Sequence, residues 1–341
     1  MNLIRILFIV ITIIVSLELQ AQVDSLWNRI DNNGWKQGRH REFYPKTKKL
    51  RYEGQFIDNK PVGTFKFYYP ETFELNSIHE YDTIGGRAKI TVFYKNKKIM
   101  AKGYYLNQQK DSVWSFYDEN GKLKMTEFYR NNKRNGEKIV YYNDSTIFEI
   151  VTFKDDIKEG PYKIFYSDKS LKEEGNHKNG DKEGLVIYYN PGGKILYKGI
   201  YVNHLKDGEW IRYNDDGTEM QKEIYKNGIL KNTIFINGVF KEEYPNETPK
   251  SEYTYKNGKK NGPYKIYYDN AKLIEEEVPA YDGSNGKEKI LYYDGQTLKE
   301  KGTYLNDKLH GKITYYKPDG NIEKIVTYNN GIIQKTELMP E

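Results

Sequence analysis

The sequence contains no cysteine. That excludes disulfides, cysteine-based zinc sites and lipid attachment through a cysteine at a cleavage site. Charge of one sign is not in excess. Lys+Arg number 54 against 48 Asp+Glu, a net charge of +6, and the two signs are interspersed. A chain of this kind lacks the basic stripe of a nucleic-acid binder, so no nucleic-acid partner is expected. Histidine is scarce: His40, His79, His177, His204 and His310 stand far apart, without the spacing of a metal-ligand motif. G-x-S-x-G and P-loop signatures are absent as well. Beyond the first two dozen residues, turn-forming Gly, Asn, Asp or Pro interrupts every stretch long enough for a helix.

One long hydrophobic run exists, in "MNLIRILFIVITIIVSLELQAQ". Arg5 precedes an apolar stretch from Ile6 to Val15, and the small Ala21 lies before Gln22. The pattern predicts a signal peptide over 1–21, with the mature chain starting at Gln22. Glu18 cuts the run short of the roughly 20 apolar residues of a membrane span. The expected product is exported, periplasmic or extracellular. A lead-in over 22–33 then precedes a region of different character.

That region is rich in tyrosine, 33 in the chain, and glycine, 29. It repeats itself. With Gly208 as position zero, steps of about 24 residues lead back through Gly184, Gly160, Gly136 and Ser112, then less evenly to Gly86, Gly63 and Gly38. Forward, Asn232 takes the place, followed by Gly262, Gly286 and Gly311, with an insertion read near 242–250. An aromatic stands at position −7, as in Phe56, Tyr105, Tyr201 and Tyr304, with His177 there once. In nine of the repeats position −5 is Asn or Asp, for example Asn107, Asn203 and Asn257. Glycine recurs at −9 (Gly54, Gly103, Gly175, Gly199, Gly302), and a bulky residue at +2 (Phe65, Trp114, Tyr162, Trp210, Tyr264). Another aromatic falls at +5: Tyr68, Tyr117, Tyr141, Phe165, Tyr189, Tyr213, Tyr267 and Tyr316.

Alternating aromatic and β-branched residues favour strands. Asn or Asp followed by Gly, Asn or Asp supplies the positive-φ pair of a tight hairpin turn. A second turn follows each aromatic strand, in "DENG" (118–121), "NPGG" (190–193), "NDDG" (214–217) and "KPDG" (317–320). Two turns in each repeat leave two strands. The expected fold is therefore all-β: an elongated single-layer antiparallel β-hairpin meander of about twelve repeats, filling 34–335 and leaving a tail over 336–341. Side chains alternate across a strand, so +2 and +4 share one face and +5 lies on the other. Glycine at −9 would let a neighbouring ring lie on bare backbone. Repeats with Ser112 or Asn232 at zero, or Lys138 at +2, are expected to be less regular.

The pattern of Gly199, Tyr201, Asn203, Gly208, Trp210, Tyr213, Asp216 and Gly217 resembles the MORN repeat. It is most similar to the MORN-variant repeats of bacterial proteins, often labelled YwqK-family antitoxin. The resemblance implies a twisted ribbon of hairpins that serves as a scaffold, a lipid-associated module or a partner-binding surface. It implies no single activity.

No catalytic constellation, metal site or cofactor is expected. The carboxylates of "KEE" (172–174) and "EEE" (275–277) are read as surface ion pairs, His177 as a packing residue, and His204 and His310 as solvated turn residues. The widest side chains occupy +2, so that row is expected to build the sheet. The +5 residues Tyr117, Tyr141, Phe165, Tyr189 and Tyr213 are then the candidate contact surface, since tyrosine joins apolar area to a hydrogen-bonding tip. The expected function is a non-enzymatic exported scaffold with a protein partner. Toxin neutralisation and peripheral membrane binding are the alternatives, the latter disfavoured by the mixed charge.

Overall fold

The computed structural model describes residues 27–279 and 287–340, among which there is no helix. The described residues form two compact bodies, one ending at residue 183 and including 191–193, the other made of 184–190 and the described residues from 194 onward. In the first, strands from Lys36–Phe43 to Leu171–Lys178 pair antiparallel with their neighbours in chain order. In the second, residues 184–189 begin a run of pairings that reaches Ile229–Phe235. A further sheet of that body extends from Gly238–Glu243 to Ile332–Leu338. The all-β antiparallel meander read from the sequence is the observed fold.

The hairpin turns follow from their residues. Asn203 and His204 have φ of 48° and 65°, and Asn107–Gln108, Asn131–Asn132 and Asn306–Asp307 repeat this pair. Asparagine and aspartate tolerate the left-handed region better than other side chains, and two such residues match a tight turn to the twist of its strands. The turn also joins adjacent repeats. The amide at −4 donates to the carbonyl at −2 of the preceding repeat, as in Asn132 N to Lys110 O (2.9 Å) and Gly228 N to Lys206 O (2.8 Å).

Position zero has a defined register. Its residue faces the aromatic at −7 of the next repeat in eleven described pairs, among them Gly63↔Tyr81, Gly160↔His177 and Gly208↔Tyr225. The others are Gly38↔Phe56, Ala88↔Tyr105, Ser112↔Tyr129, Gly136↔Phe153, Gly184↔Tyr201, Gly238↔Tyr255, Gly262↔Tyr304 and Gly311↔Tyr328. This register corrects the count along the sequence at three places. Ala88, not Gly86, is at zero. Gly238, not Asn232, is at zero in the next repeat, so the extra residues lie ahead of Gly238 and not at 242–250. There, Tyr244–Thr248 form an ordinary long turn, closed by Tyr244 N to Thr248 O (2.8 Å). Gly286 lies outside the described residues, but Lys259–Tyr267 pairs directly with Leu298–Leu305. The intervening strands Lys272–Pro279 and Lys287–Asp294 pair with each other, as an inserted hairpin.

Ser112 also departs from expectation. It adopts φ of 59° at zero and keeps the common register, so its repeat is regular. In the strand that carries Asn232 the ladder shifts by one residue between Ile224 and Tyr225, where the corresponding place of other repeats, such as Lys198 to Ile200, shifts by two.

The core is the +2 row. Phe65, Ile90, Trp114, Tyr162, Val186, Trp210, Phe240, Tyr264 and Ile313 are all buried, as is His40 in the same place. The glycine at −9 makes room for the largest of them. A methyl group on Gly54, Gly103 or Gly199 would collide with the ring of Phe65, Trp114 or Trp210 respectively.

Candidate functional site

Within each body, the two faces of the sheet differ in what their side chains already hold. On the face of the +2 row, a basic residue at −2 lies over the rings. Lys110 Nζ is 4.7 Å from the ring centres of both Trp114 and Tyr129. Lys206 Nζ is 4.6 Å from those of Tyr197 and Trp210 and 4.8 Å from Tyr225. Each ammonium is attracted to the ring faces while its stem covers apolar surface. Burial lowers the pKa of both lysines, against the raising effect of Glu127 and Glu223 respectively.

Buried carboxylates complete these clusters. Burial raises the pKa of Glu223, but hydrogen bonds from Tyr197, Tyr225 and Gln221 and the charge of Arg212 outweigh it, and the net shift is downward. Burial and the same carboxylate push the Tyr197 phenol up. Glu127 accepts from Tyr129 Oη at 2.6 Å. Glu173 accepts from Tyr162 Oη and from Lys182 Nζ. The reading of "KEE" as surface ion pairs therefore holds only for Glu174, which meets Lys163 at 3.6 Å. Glu173 is buried, and a carboxylate needs such partners when removed from water. The side chains of Glu275–Glu277 lie outside the described residues. The +2 face is thus occupied by its own rings, lysines and carboxylates.

Besides His40, two histidines share this face. His177 packs on Tyr162 with ring centres 4.4 Å apart, as expected for its position. His79 lies at −9, 4.5 Å from Phe67 and 5.8 Å from Tyr105, and burial lowers its pKa to about 4. The unfolded chain, with an ordinary histidine near 6.5, takes up this proton first as the pH falls. His79 therefore contributes stability that is complete above about pH 6.5 and is lost as the pH falls towards 4. With allowance for its partial exposure, the wild type should lose about 1–2.5 kcal/mol more than His79→Gln between pH 7 and 4.5. Urea denaturation of both proteins at the two pH values measures this; parallel losses would contradict it.

The opposite face carries the +5 row. Tyr117, Tyr141 and Phe165 in the first body, and Tyr189 and Tyr213 in the second, are all half-buried. Lys102 Nζ lies 5.4 Å from the Tyr117 ring centre and Lys198 Nζ 5.3 Å from that of Tyr213. Beside the row stand exposed apolar residues: Val113 in the first body, and Leu185, Ile200 and Val239 in the second, each about half exposed. In the first body Val113, Phe128 and Ile139 line a shallow hollow with Thr126, Asn135 and Glu137.

A second tyrosine row, at +6, escaped the sequence reading. Tyr44, Tyr69, Tyr94, Tyr142, Tyr244 and Tyr268 donate their hydroxyls to the carbonyl oxygens of Tyr68, Phe93, Tyr117, Phe165, Tyr267 and Tyr316, at 2.7–3.0 Å. Each bond links one repeat to the +5 backbone of the next. The signal was present in the aromatic doublets "YY" and "FY" at five of these six places; at Tyr244 the preceding residue is Glu243. Part of the tyrosine enrichment therefore holds repeats together.

No curated protein matches the chain in sequence. Among solved structures, one described as the crystal structure of TcdB2-TccC3-TEV is similar over 86% of this chain at 10% identity, with a TM-score of 0.17. This chain spans 18% of the length of that one. Five stretches match the family described as MORN repeat variant: 110–131, 158–179, 182–203, 236–257 and 309–330. Each begins two residues before a position-zero residue of the observed register, including Gly238. The matched segment therefore comprises the strand with the +2 side chain, the long turn and the strand that bears positions −9 and −7, and at these five places the chain carries MORN-type repeats.

Proposed function

We propose that the protein is a non-enzymatic, exported interaction scaffold that presents the face opposite its +2 rings to a protein partner. One observation carries this reading: the +2 face is filled by its own rings, lysines and carboxylates, whereas the other exposes Val113, Leu185, Ile200 and Val239 beside the half-buried +5 aromatics. Apolar residues grouped on an exposed surface mark interaction sites, and tyrosine is enriched where binding energy concentrates. Repeat arrays suit such a role because each repeat is stabilised by its neighbours while its surface varies. Toxin neutralisation or lipid contact would use the same face, and the identity of the captured molecule separates these from a general scaffold.

The test combines the protein as exported with a change to the face. Protein recovered from the envelope fraction should begin at Gln22 and retain a protein partner when immobilised. Changing Tyr141, Tyr189 and Tyr213 together to Ser should weaken that retention at least tenfold, with the melting temperature nearly unchanged. A large fall in melting temperature with binding retained by the folded fraction would assign these rings to stiffening the sheet by cross-strand pairing.

A further inference from the structure

The edge of the first body and the edge of the last sheet are finished differently. Along Lys36–Phe43, the preceding segment covers the outer edge. Arg29 and Ile30 pair with Gln37 and Lys36, Asn28 N donates to Arg39 O (2.8 Å), and Arg41 N donates to Asn28 Oδ1 (2.8 Å). Ile332–Leu338 pairs on one side with Ile322–Asn329. Along its other side no strand lies among the described residues. Ile332, Ile333 and Leu338 are 67%, 58% and 75% exposed. Unpaired strand edges are templates for a further strand.

The register fixes which groups that edge offers. Met339 N donates to Glu323 O, and Glu337 and Lys335 face Ile325 and Thr327. In an antiparallel ladder, residues bonded towards one neighbour alternate with those bonded towards the other. Residues 335, 337 and 339 thus bond inward, and Gln334, Thr336 and Leu338 turn their amides and carbonyls outward.

We propose that this edge pairs antiparallel with the same strand of a second copy, with Thr336 opposite Thr336 across a two-fold axis. Four symmetric registers satisfy the outward groups, placing Gln334, Lys335, Thr336 or Glu337 opposite itself. The second and fourth set like charges against each other, and the first sets Lys335 against Ile333. Only the Thr336 register places Lys335 opposite the second copy's Glu337, twice by symmetry, and Ile333 opposite its Met339. Opposite charges directly across an antiparallel pair are favourable and like charges are not. Lys335 and Glu337 already share a face, with Nζ and Oε1 2.9 Å apart, so the pairing makes an alternating quartet of charges. An isologous two-fold contact of this kind closes on itself and leaves no new edge.

Sedimentation of the full chain tests the contact. The wild type should dimerise in the micromolar range. Lys335→Glu and Glu337→Lys should each weaken association at least tenfold, and the double exchange should restore it to within about threefold of wild type. A wild type that stays monomeric up to about 100 μM, or an exchange that does not restore association, overturns the proposal. The register is tested separately, because the chain has no cysteine of its own. Directly opposite residues have Cα atoms about 4.5–5.5 Å apart, within disulfide range, so Thr336→Cys should crosslink to a covalent dimer under mild oxidation. Gln334→Cys should not, since its counterpart lies about four residues away along the strand, roughly 13 Å. Crosslinking through position 334 in preference to 336 would refute the proposed register.

Discussion

Trp210→Ala should cost the protein about 3–5 kcal/mol, the range for removing a fully buried large ring. Trp210 has no exposed surface. Its ring centre lies 4.8 Å from Tyr197 and 5.0 Å from Tyr201, and its Nε1 donates to Ile200 O at 3.2 Å. The floor of the site is Gly199, which has no side chain to move into the vacated space. Lys206 would lose one of the rings beneath its ammonium. The cavity should therefore persist, which places the cost towards the upper part of the range. Because contacts in a repeat array are made with neighbours, the damage should be local. Urea denaturation gives the free energy, and hydrogen exchange gives its distribution: protection should fall over 195–226 and remain over 50–70. An equal rise in exchange in both segments would show that the repeats are not locally coupled.

The sequence revealed this core because its signals are local and repeated. An Asn at −5 and a turn residue at −4 suffice to set the hairpin, as the φ values of Asn203 and His204 show. Two positions further, strand alternation alone predicts that Trp114 and Phe116 share a face, and both contact Lys110. What failed was counting. Asn232 and Gly286 stand one full period after Gly208 and Gly262, so a fixed period assigns both to position zero. Pairing chooses otherwise, because Gly238 and Gly262 meet Tyr255 and Tyr304. An insertion changes the count along the chain but not the ladder that the strands form.

The buried charges were hidden for a different reason. Glu173 and Glu174 are adjacent in sequence and identical in type, but alternation sends them to opposite faces. Glu174 meets Lys163 near the surface, and Glu173 meets a buried tyrosine hydroxyl and Lys182. Sequence patterning gives the face but not whether that face is covered. The candidate contact row was legible in the same partial way. Tyr117 and Phe165 were recognisable as a row opposite the core, whereas the use of their carbonyls by Tyr94 and Tyr142 requires the neighbouring repeat in place.

The glycine at −9 gives the sharpest expected result, a reversal of sign. Gly103 lies against the Trp114 ring, and a methyl group built on it would overlap the indole. The indole has little freedom to retreat, since Tyr105 lies 5.3 Å away, Phe116 lies 6.3 Å away, and Nε1 is held by Tyr104 O at 3.0 Å. Gly103→Ala should then destabilise by about 1–3 kcal/mol, the usual cost of overpacking. In a Trp114→Ala background the same methyl group enters the cavity left by the ring, and the substitution should be neutral or stabilising. The two changes should thus be coupled by about 1–3 kcal/mol, as expected for groups in direct contact. A side chain is accommodated at −9 elsewhere: His79 stands there where the facing +2 residue is the smaller Ile90, and Tyr253 where Tyr264 lies stacked beside it at 5.8 Å. A full double-mutant cycle by urea denaturation decides the matter. Additive losses would mean that Gly103 serves the backbone rather than the ring.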